Sequence, residues 1–554
     1  MGEILKSMQE KVGLKWFCVH FDEDTLTQGI EEILKKRFTN QELIQTIEDL
    51  YDPYLLAGMK EAVERVKTAI HNKERIIVFG DYDVDGVTST AILMHFFKTI
   101  RAQASYRLPH RVKDGYGLKK YFIDDIHTQW VKLLITVDCG TRDIEVVKYA
   151  KSLGIDVIIT DHHAVPEVIS EEAIAVINPK RKDCNYPFKW LSGAGVAFKL
   201  MMALAREYFP EKESKKYILE SIDIAAIGTV ADCMSLTWEN RIIVQEGLKQ
   251  LKNSRSKWIR KLIEHKIEED LDADIFGFLI WPRLNAAGRM DTPYKALHLI
   301  LDQEESVMET LMDIEMLNDK RRKMTHLFFN DALEKVNPKD NILIYTNTEI
   351  EHGIIWIVAG RLTEQYYKPA IVLTQHGENY VGSCRSPDFF DIVEILEKYK
   401  DFFVAFWWHK QAAGFTIQKA KFEEFTQVLL RDMNTLEFKK FKKNLLVDKI
   451  VEPQEIGFQL LNKITQFKPF WIGNPKPIFM IQDFEFETVG YLWKWVEHIK
   501  FTSRYGYKIC WFWFWEHLDT IKKSKGVSIV FDISEDNFNG KKSLMLKMID
   551  IVLS

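Results

Sequence analysis

Between Glu74 and about Leu200 the chain alternates short apolar runs with helix-sized segments. RIIVFGDYDVDG, VKLLITVDCG, IDVIITDHH and AIAVINPK each read as a buried strand that ends in polar residues. Continuous apolar strands separated by helical segments predict a parallel α/β sheet, and such sheets bind ligands beyond the carboxyl ends of their strands. Those ends carry Asp81, Asp83, Asp85, Asp138, Asp161, His162 and His163. From about Ser214 to Val336 the pattern is mostly helical, with LNDKRRKM on a solvated face. A second α/β pattern begins at NILIYTN, continues through KPAIVLT and ends at the GF of AAGF. From about Leu445 onward β-type alternation dominates (IFMIQDFEFETVG, HIKFTS, VSIVFDI), which predicts a small β-barrel or sandwich.

These patterns divide the chain into an N-terminal helical segment (1–70), an α/β domain (71–213), a helical connector (214–336), a second α/β domain (337–440) and a C-terminal β-domain (441–554). A length of 554 residues is too great for one core and agrees with several domains. The net charge of -5 excludes a global basic surface, so any nucleic-acid contact must be local. Six cysteines lie far apart with no C-x-x-C pair. That argues against a disulfide framework or a thiolate zinc site and suits a reducing compartment. No apolar run reaches membrane length, so the expectation is a soluble, cytoplasmic protein.

A lone aspartate at a strand end is usually a cap or an ion-pair partner. Here Asp83 and Asp85 are separated by one residue, Asp138 and His162 follow two further strands, and Asp232 lies in IGTVADCMSL. Oxygen-rich sets with one or two histidines suit Mn²⁺ or Mg²⁺ rather than a closed zinc site. So many carboxylates repel one another unless cations sit between them.

GDYDVDGVTST, ITVDCGT, TDHHAVP and GTVADCMSL resemble the four motifs of the DHH phosphoesterase superfamily. DGYGL, LSGAGVAFKL, PRLNAAGRMD, GSCRS, HKQAAGF and GNPKPIF narrow the resemblance to the RecJ-like single-strand-specific exonucleases, from about residue 70 to the carboxyl terminus. The resemblance implies a two-metal phosphodiesterase that prefers Mn²⁺, with Mg²⁺ as the alternative. It implies Asp83, Asp85, Asp138, His162 and Asp232 as metal ligands and His163 as the partner of the scissile phosphate. Many relatives carry a histidine where this chain has Phe79, which makes Asp81 an extra ligand or a hydrogen-bond acceptor behind the ligands. The second α/β domain resembles the DHH-associated domain, with Ser383, Arg385 and His409 placed to hold a 5′ phosphate. Arg289 is a phosphate contact or, equally, a structural ion pair. The C-terminal region resembles an OB-fold, a groove suited to single strands. The implied activity is 5′→3′ exonucleolytic cleavage of single-stranded DNA in repair and recombination. Single-strand-binding protein and a helicase are the implied partners. The alternatives are a phosphodiesterase for oligonucleotides or cyclic dinucleotides and a non-catalytic DNA-binding relative.

One class of residue departs from the resemblance throughout. Trp407 and Trp408 stand where relatives have a glycine pair, and Trp238, Trp281, Trp356, Trp471, Trp493, Trp495, Trp511, Trp513 and Trp515 also fall where glycine or a turn is expected. They read as ordinary core residues, as stacking platforms for unpaired bases, or as glycine codons written as tryptophan. Glycine usage near 7% predicts roughly 39 in a chain of this length. The chain has 27 glycines and 15 tryptophans, together 42. Composition therefore favours the third reading, which predicts strained or outward-splayed indoles at these places.

Overall fold

The computed structural model describes residues 9–12, 17–21, 28–39, 42–43, 45–111, 113–266, 271–301, 306–409, 411–436, 443–493, 496–503, 505, 507–512, 527–538 and 541–553. The chain forms two compact units, Gln45–Phe438 with Trp471–Gly473, and Met1–Ile44 with Lys439–Phe470 and Asn474–Ser554.

In the first of these units five parallel strands run in the order Ala104–Arg107, Arg75–Gly80, Val131–Val137, Asp156–Thr160 and Ala175–Ile177. Alternate residues of each strand point to opposite faces. Ile76, Val78, Leu133, Ile135 and Ile158 join one core, while Ile77, Phe79, Leu134, Val157 and Ile159 join a second. Both faces are covered, which is why these strands are apolar without alternation. Gly80 pairs with Val137, Val137 with Thr160, and Thr160 with Ile177. The strands therefore end in one row, and the residues that follow are Asp81, Asp138, Asp161 and Asn178.

Helices Val84–Thr99, Gly193–Tyr208 and Ile222–Ala231 are buried over most of their length because small and apolar residues surround them on all sides. A buried ion pair ties this core together. Lys199 Nζ lies 2.5 Å from Glu239 Oε1, with the side chains 0% and 1% exposed. Tyr186 Oη and the Tyr51 amide also donate to Glu239.

A second sheet in the same unit has the order Phe403–His409, Ala412–Gln418, Asn379–Arg385, Ala370–His376 and Leu343–Thr346. Its pairs are antiparallel except the last, which is parallel. The other unit has a seven-stranded sheet dominated by the hairpin Val527–Phe538 with Lys541–Leu553, over a core that includes Phe479, Trp511 and Phe531. Among the described residues no helix is long and apolar enough to cross a membrane.

Two expected boundaries change. The segment read as helical over 1–70 contains an antiparallel pair, Gln9–Val12 with Phe17–Phe21, and the latter pairs in parallel with Lys443–Leu446. A strand whose partner lies more than 400 residues away carries little local signal. One hydrophobic core also runs from Leu50 to Ile314, so 213/214 does not separate two cores.

The tryptophans divide. Trp238 adopts φ +45 and Trp130 φ +60, although no turn was expected at 130. Trp281, in contrast, opens a helix at an ordinary φ of -53. Trp511 is fully buried rather than splayed outward. The backbone at Trp407 and Trp408 is paired strand opposite Gly414 and Ala413. That backbone needs no glycine. The side chains at 407, 408 and 493, and all of Trp495, Trp513 and Trp515, lie outside the described residues.

Candidate metal centre and phosphate cleft

The row of strand ends and three helix termini bring the acidic residues together. Asp83 caps helix Val84–Thr99, its Oδ1 accepting from the amides of Asp85 and Gly86. Asp85 accepts from the amides of Gly193 (2.7 Å) and Ala194 (2.9 Å) at the start of helix Gly193–Tyr208. A Cβ on Gly193 would lie 2.5 Å from the Asp138 side chain, and one on Gly228 would lie 2.7 Å from Asp85 Oδ1. These two glycines allow helices to approach the carboxylates closely. Asp232 caps the end of helix Ile222–Ala231.

His162 stands at the middle. Its Nε2 is 3.2 Å from Asp138 Oδ1, 3.5 Å from Asp232 Oδ2 and 3.8 Å from Asp85 Oδ2. Three groups of ligand atoms lie within 4.8 Å of one another: Asp81, Asp83 and Asp138; Asp85, His162 and Asp232; and Asp138, His162 and His163. Asp138 takes φ +60, a conformation that L-residues adopt at a cost of about 1–2 kcal/mol. Local strain of this kind aims its carboxylate at the cluster.

Burial first, then mutual repulsion, raises the pKa of Asp81, Asp138 and Asp232 well above the usual carboxylate range. The same causes push Asp85 to about 7. Burial and the charge of His163 push His162 down to about 3, so it is a neutral imidazole. Asp81 Oδ1 and Asp138 Oδ1 are buried and accept no hydrogen bond among the described residues. Carboxylates destabilised in this way, with oxygens unbonded beside a neutral imidazole, fit hard or borderline divalent cations.

Asp161 has a different place from its neighbours. It accepts from the amides of Thr141, His162 and His163 and lies 2.8 Å from His163 Nδ1. Burial alone would depress the His163 pKa, but the hydrogen bond and charge of Asp161 raise it. Tyr116 Oη is 3.2 Å from the same Nδ1, so His163 is held from two sides.

Beyond the carboxylates lies a set of cations. Arg289 is half-buried, stacks on Trp356 at 4.0 Å and donates from Nη1 to Gly353 O at 3.4 Å. Among the described residues it has no carboxylate partner. Burial first, and then the charges of Arg111 and Arg321, lower its pKa, while Asp83 opposes them. Arg111 lies 4.1 Å over the Tyr82 ring, and its Nε is buried without a partner among the described residues. His352 adjoins both arginines, and burial with their charges pushes it down to about 4. The Arg385 guanidinium lies 5.2 Å from the centroid of the same Trp356 ring. Ser383 is buried on the same strand. Ala412 pairs with Arg385 on one side and with His409 on the other, so 409 is two strands from Arg385; the His409 side chain lies outside the described residues.

The structure thus gathers Asp81, Asp83, Asp85, Asp138, His162, His163 and Asp232 in one cluster. It places Arg289 and Arg385 against a shared ring. Sequence reading passed over Arg111, Tyr116 and His352. The signal available for the first two was their position around DGYGL, after the strand Ala104–Arg107 of the same sheet.

Residues 75–229 match the DHH family, N-terminal domain; residues 339–435 match the DHHA1 domain; and residues 447–550 match the RecJ OB domain. The single-stranded-DNA-specific exonuclease RecJ of Bacillus subtilis is 34% identical over 91% of this chain, which spans 65% of that relative's length. The Escherichia coli RecJ is 32% identical over 79% of this chain and 80% of its own. The crystal structure of Thermus thermophilus RecJ in complex with Mn²⁺ superposes with a TM-score of 0.81 at 26% identity, covering 95% of this chain and 76% of that one. A Mg²⁺ complex of the same enzyme gives 0.76.

Proposed function

The chain belongs to the RecJ family of single-stranded-DNA-specific exonucleases, and from that premise we propose that it hydrolyses single-stranded DNA from the 5′ end in repair and recombination, using two divalent ions with Mn²⁺ preferred to Mg²⁺. Asp81, Asp83 and Asp138 would hold one ion, and Asp85, His162 and Asp232 the other. Bound there, the ions would polarise the phosphodiester and acidify a water molecule.

The protein's own residues have the remaining work. The amides of Gly193 and Ala194 fix Asp85, and those of Asp85 and Gly86 fix Asp83, before any ion arrives. Asp161 and Tyr116 occupy His163 Nδ1 and leave Nε2 for an oxygen of the scissile phosphate. Arg111 and Arg289, without carboxylate partners among the described residues, accept backbone phosphates. A guanidinium fork and a hydroxyl, Arg385 with Ser383, suit the terminal phosphate dianion, with His409 in the neighbouring register. The RecJ OB match over 447–550 supports single-strand binding by the C-terminal region.

The observation that carries this reading is the gathering of five carboxylates, three of them within 3.8 Å of the neutral His162 and two grouped with it through Asp138, with Asp81 Oδ1 and Asp138 Oδ1 unbonded among the described residues. Its test is Mn²⁺-dependent digestion of a long 5′-phosphorylated single strand. Cleavage of dinucleotides alone would replace the reading with an oligonucleotide phosphodiesterase. Strand binding without any cleavage would replace it with a DNA-binding role.

A further inference from the structure

We infer that the working polypeptide carries glycine, not tryptophan, at positions 130 and 238, and by the same decoding of one codon also at position 356 in the phosphate cleft. The backbone argues first. Trp130 follows the helix Lys120–Thr128, its amide donating to His127 O at 3.0 Å while φ is +60. This is the left-handed position after a helix end that glycine fills by default. Its indole is 76% exposed, so burial returns almost nothing for the strain. Trp238 stands at φ +45 where the chain turns into the helix Trp238–Leu251. The next residue, Glu239, makes the buried pair with Lys199. A bulky residue at positive φ is a genuine outlier. Tryptophan nevertheless supplies two of the eight non-glycine residues at positive φ among the described residues, although only 15 of 554 residues are tryptophan.

Hydrogen bonding argues second and independently. The indole N–H groups of Trp258, Trp356 and Trp471 are buried with no acceptor among the described residues. An indole nitrogen is a donor only, and buried ones normally find a partner. Glycine brings no such donor. The glycine shortfall stated above is the third argument, and the tryptophan count closes it.

Position 356 gives the inference a functional edge. The Trp356 ring lies 4.0 Å from the Arg289 guanidinium and 5.2 Å from that of Arg385. Both cations are thereby engaged by an aromatic face in the space where strand phosphates would enter. Glycine at 356 would remove that ring from both guanidinium groups.

The direct test is mass spectrometry of the protein isolated from the cells that encode it, on the tryptic peptides spanning 121–132, 217–241 and 340–361. Masses with glycine at 130, 238 and 356 support the inference. Tryptophan at either 130 or 238 overturns it. A second measurement compares the full-length recombinant chain with its Trp130→Gly/Trp238→Gly variant. A melting temperature raised by a few degrees supports the backbone argument, and an unchanged or lowered one overturns it. Adding Trp356→Gly should lower KM for a 5′-phosphorylated strand several-fold; an unchanged or higher KM removes position 356 from the inference.

Discussion

Replacing Asp138 with asparagine should change stability in one direction without metal and in the other with it. Asparagine keeps the size of the side chain and tolerates φ +60, so the perturbation is close to the loss of one negative charge. The ligand oxygens of Asp81, Asp83 and Asp138 lie within 4.8 Å of one another. Two full charges at that separation repel by about 3–4 kcal/mol at an effective dielectric constant near 20. Protonation of part of the cluster reduces this, since the Asp138 pKa is raised well above the usual range. A gain of about 1–2 kcal/mol for the metal-free variant is the expected remainder. With Mn²⁺ at about one hundred times the wild-type dissociation constant, binding adds about 2.7 kcal/mol to the wild type. A variant with roughly hundredfold weaker binding gains only a few tenths. The difference between the proteins should therefore swing by about 2 kcal/mol toward the wild type. Denaturation in EDTA and in Mn²⁺, beside cleavage and strand-binding assays, reads all of this. Equal stabilisation of both proteins by Mn²⁺, or wild-type cleavage by the variant, would refute the assignment of Asp138 as a ligand.

Glu239→Ala should destabilise the unit by about 3–5 kcal/mol, because it strands the charge of fully buried Lys199; Lys199→Met added to it should restore part of the loss in urea denaturation. The metal-free enzyme should lose stability as pH rises through about 7. Asp85 has a folded pKa raised to about 7, so the folded state binds the extra proton, and its contribution is complete below pH 4 and gone above the folded value. Mn²⁺ affinity, measured by titration, should rise over the same interval. Arg385→Ala should raise KM for a 5′-phosphorylated strand by roughly 10–100-fold, the value of one or two charged hydrogen bonds, and leave kcat and the KM for a 5′-hydroxyl strand unchanged. Equal effects on both strands would remove Arg385 from the terminal phosphate.

The acidic centre was legible because each strand writes its own signal. RIIVFG, VKLLITV and DVIIT end directly before Asp81, Asp138 and Asp161, and parallel register then sets those ends level. Phe79 was legible as a departure from the family pattern, and its place in the second core explains why that position offers no ligand. The cations were harder to read. Arg111 lies in the loop that follows strand Ala104–Arg107 of the first sheet, His352 lies in the loop that follows strand Leu343–Thr346 of the second, and neither sits in a periodic pattern. The strand Phe17–Phe21 was missed for a similar reason, since only residues 443–446 make it a strand. Trp130 shows the converse. Its anomaly lies in a single dihedral angle, which no count of apolar positions reveals.

Arg111, Arg289 and Arg385 share a property with a bearing on motion along a strand. Each lacks a carboxylate counter-ion among the described residues, so the balancing charge has to arrive with the substrate. A polynucleotide offers the same phosphate at every step. After a terminal nucleotide leaves, advancing the strand by one unit restores every seat to the condition it had before. Full release would instead leave several cations uncompensated at once. Under the proposed activity the sliding path is therefore favoured over dissociation, and the number of nucleotides removed per encounter should fall as salt supplies competing anions.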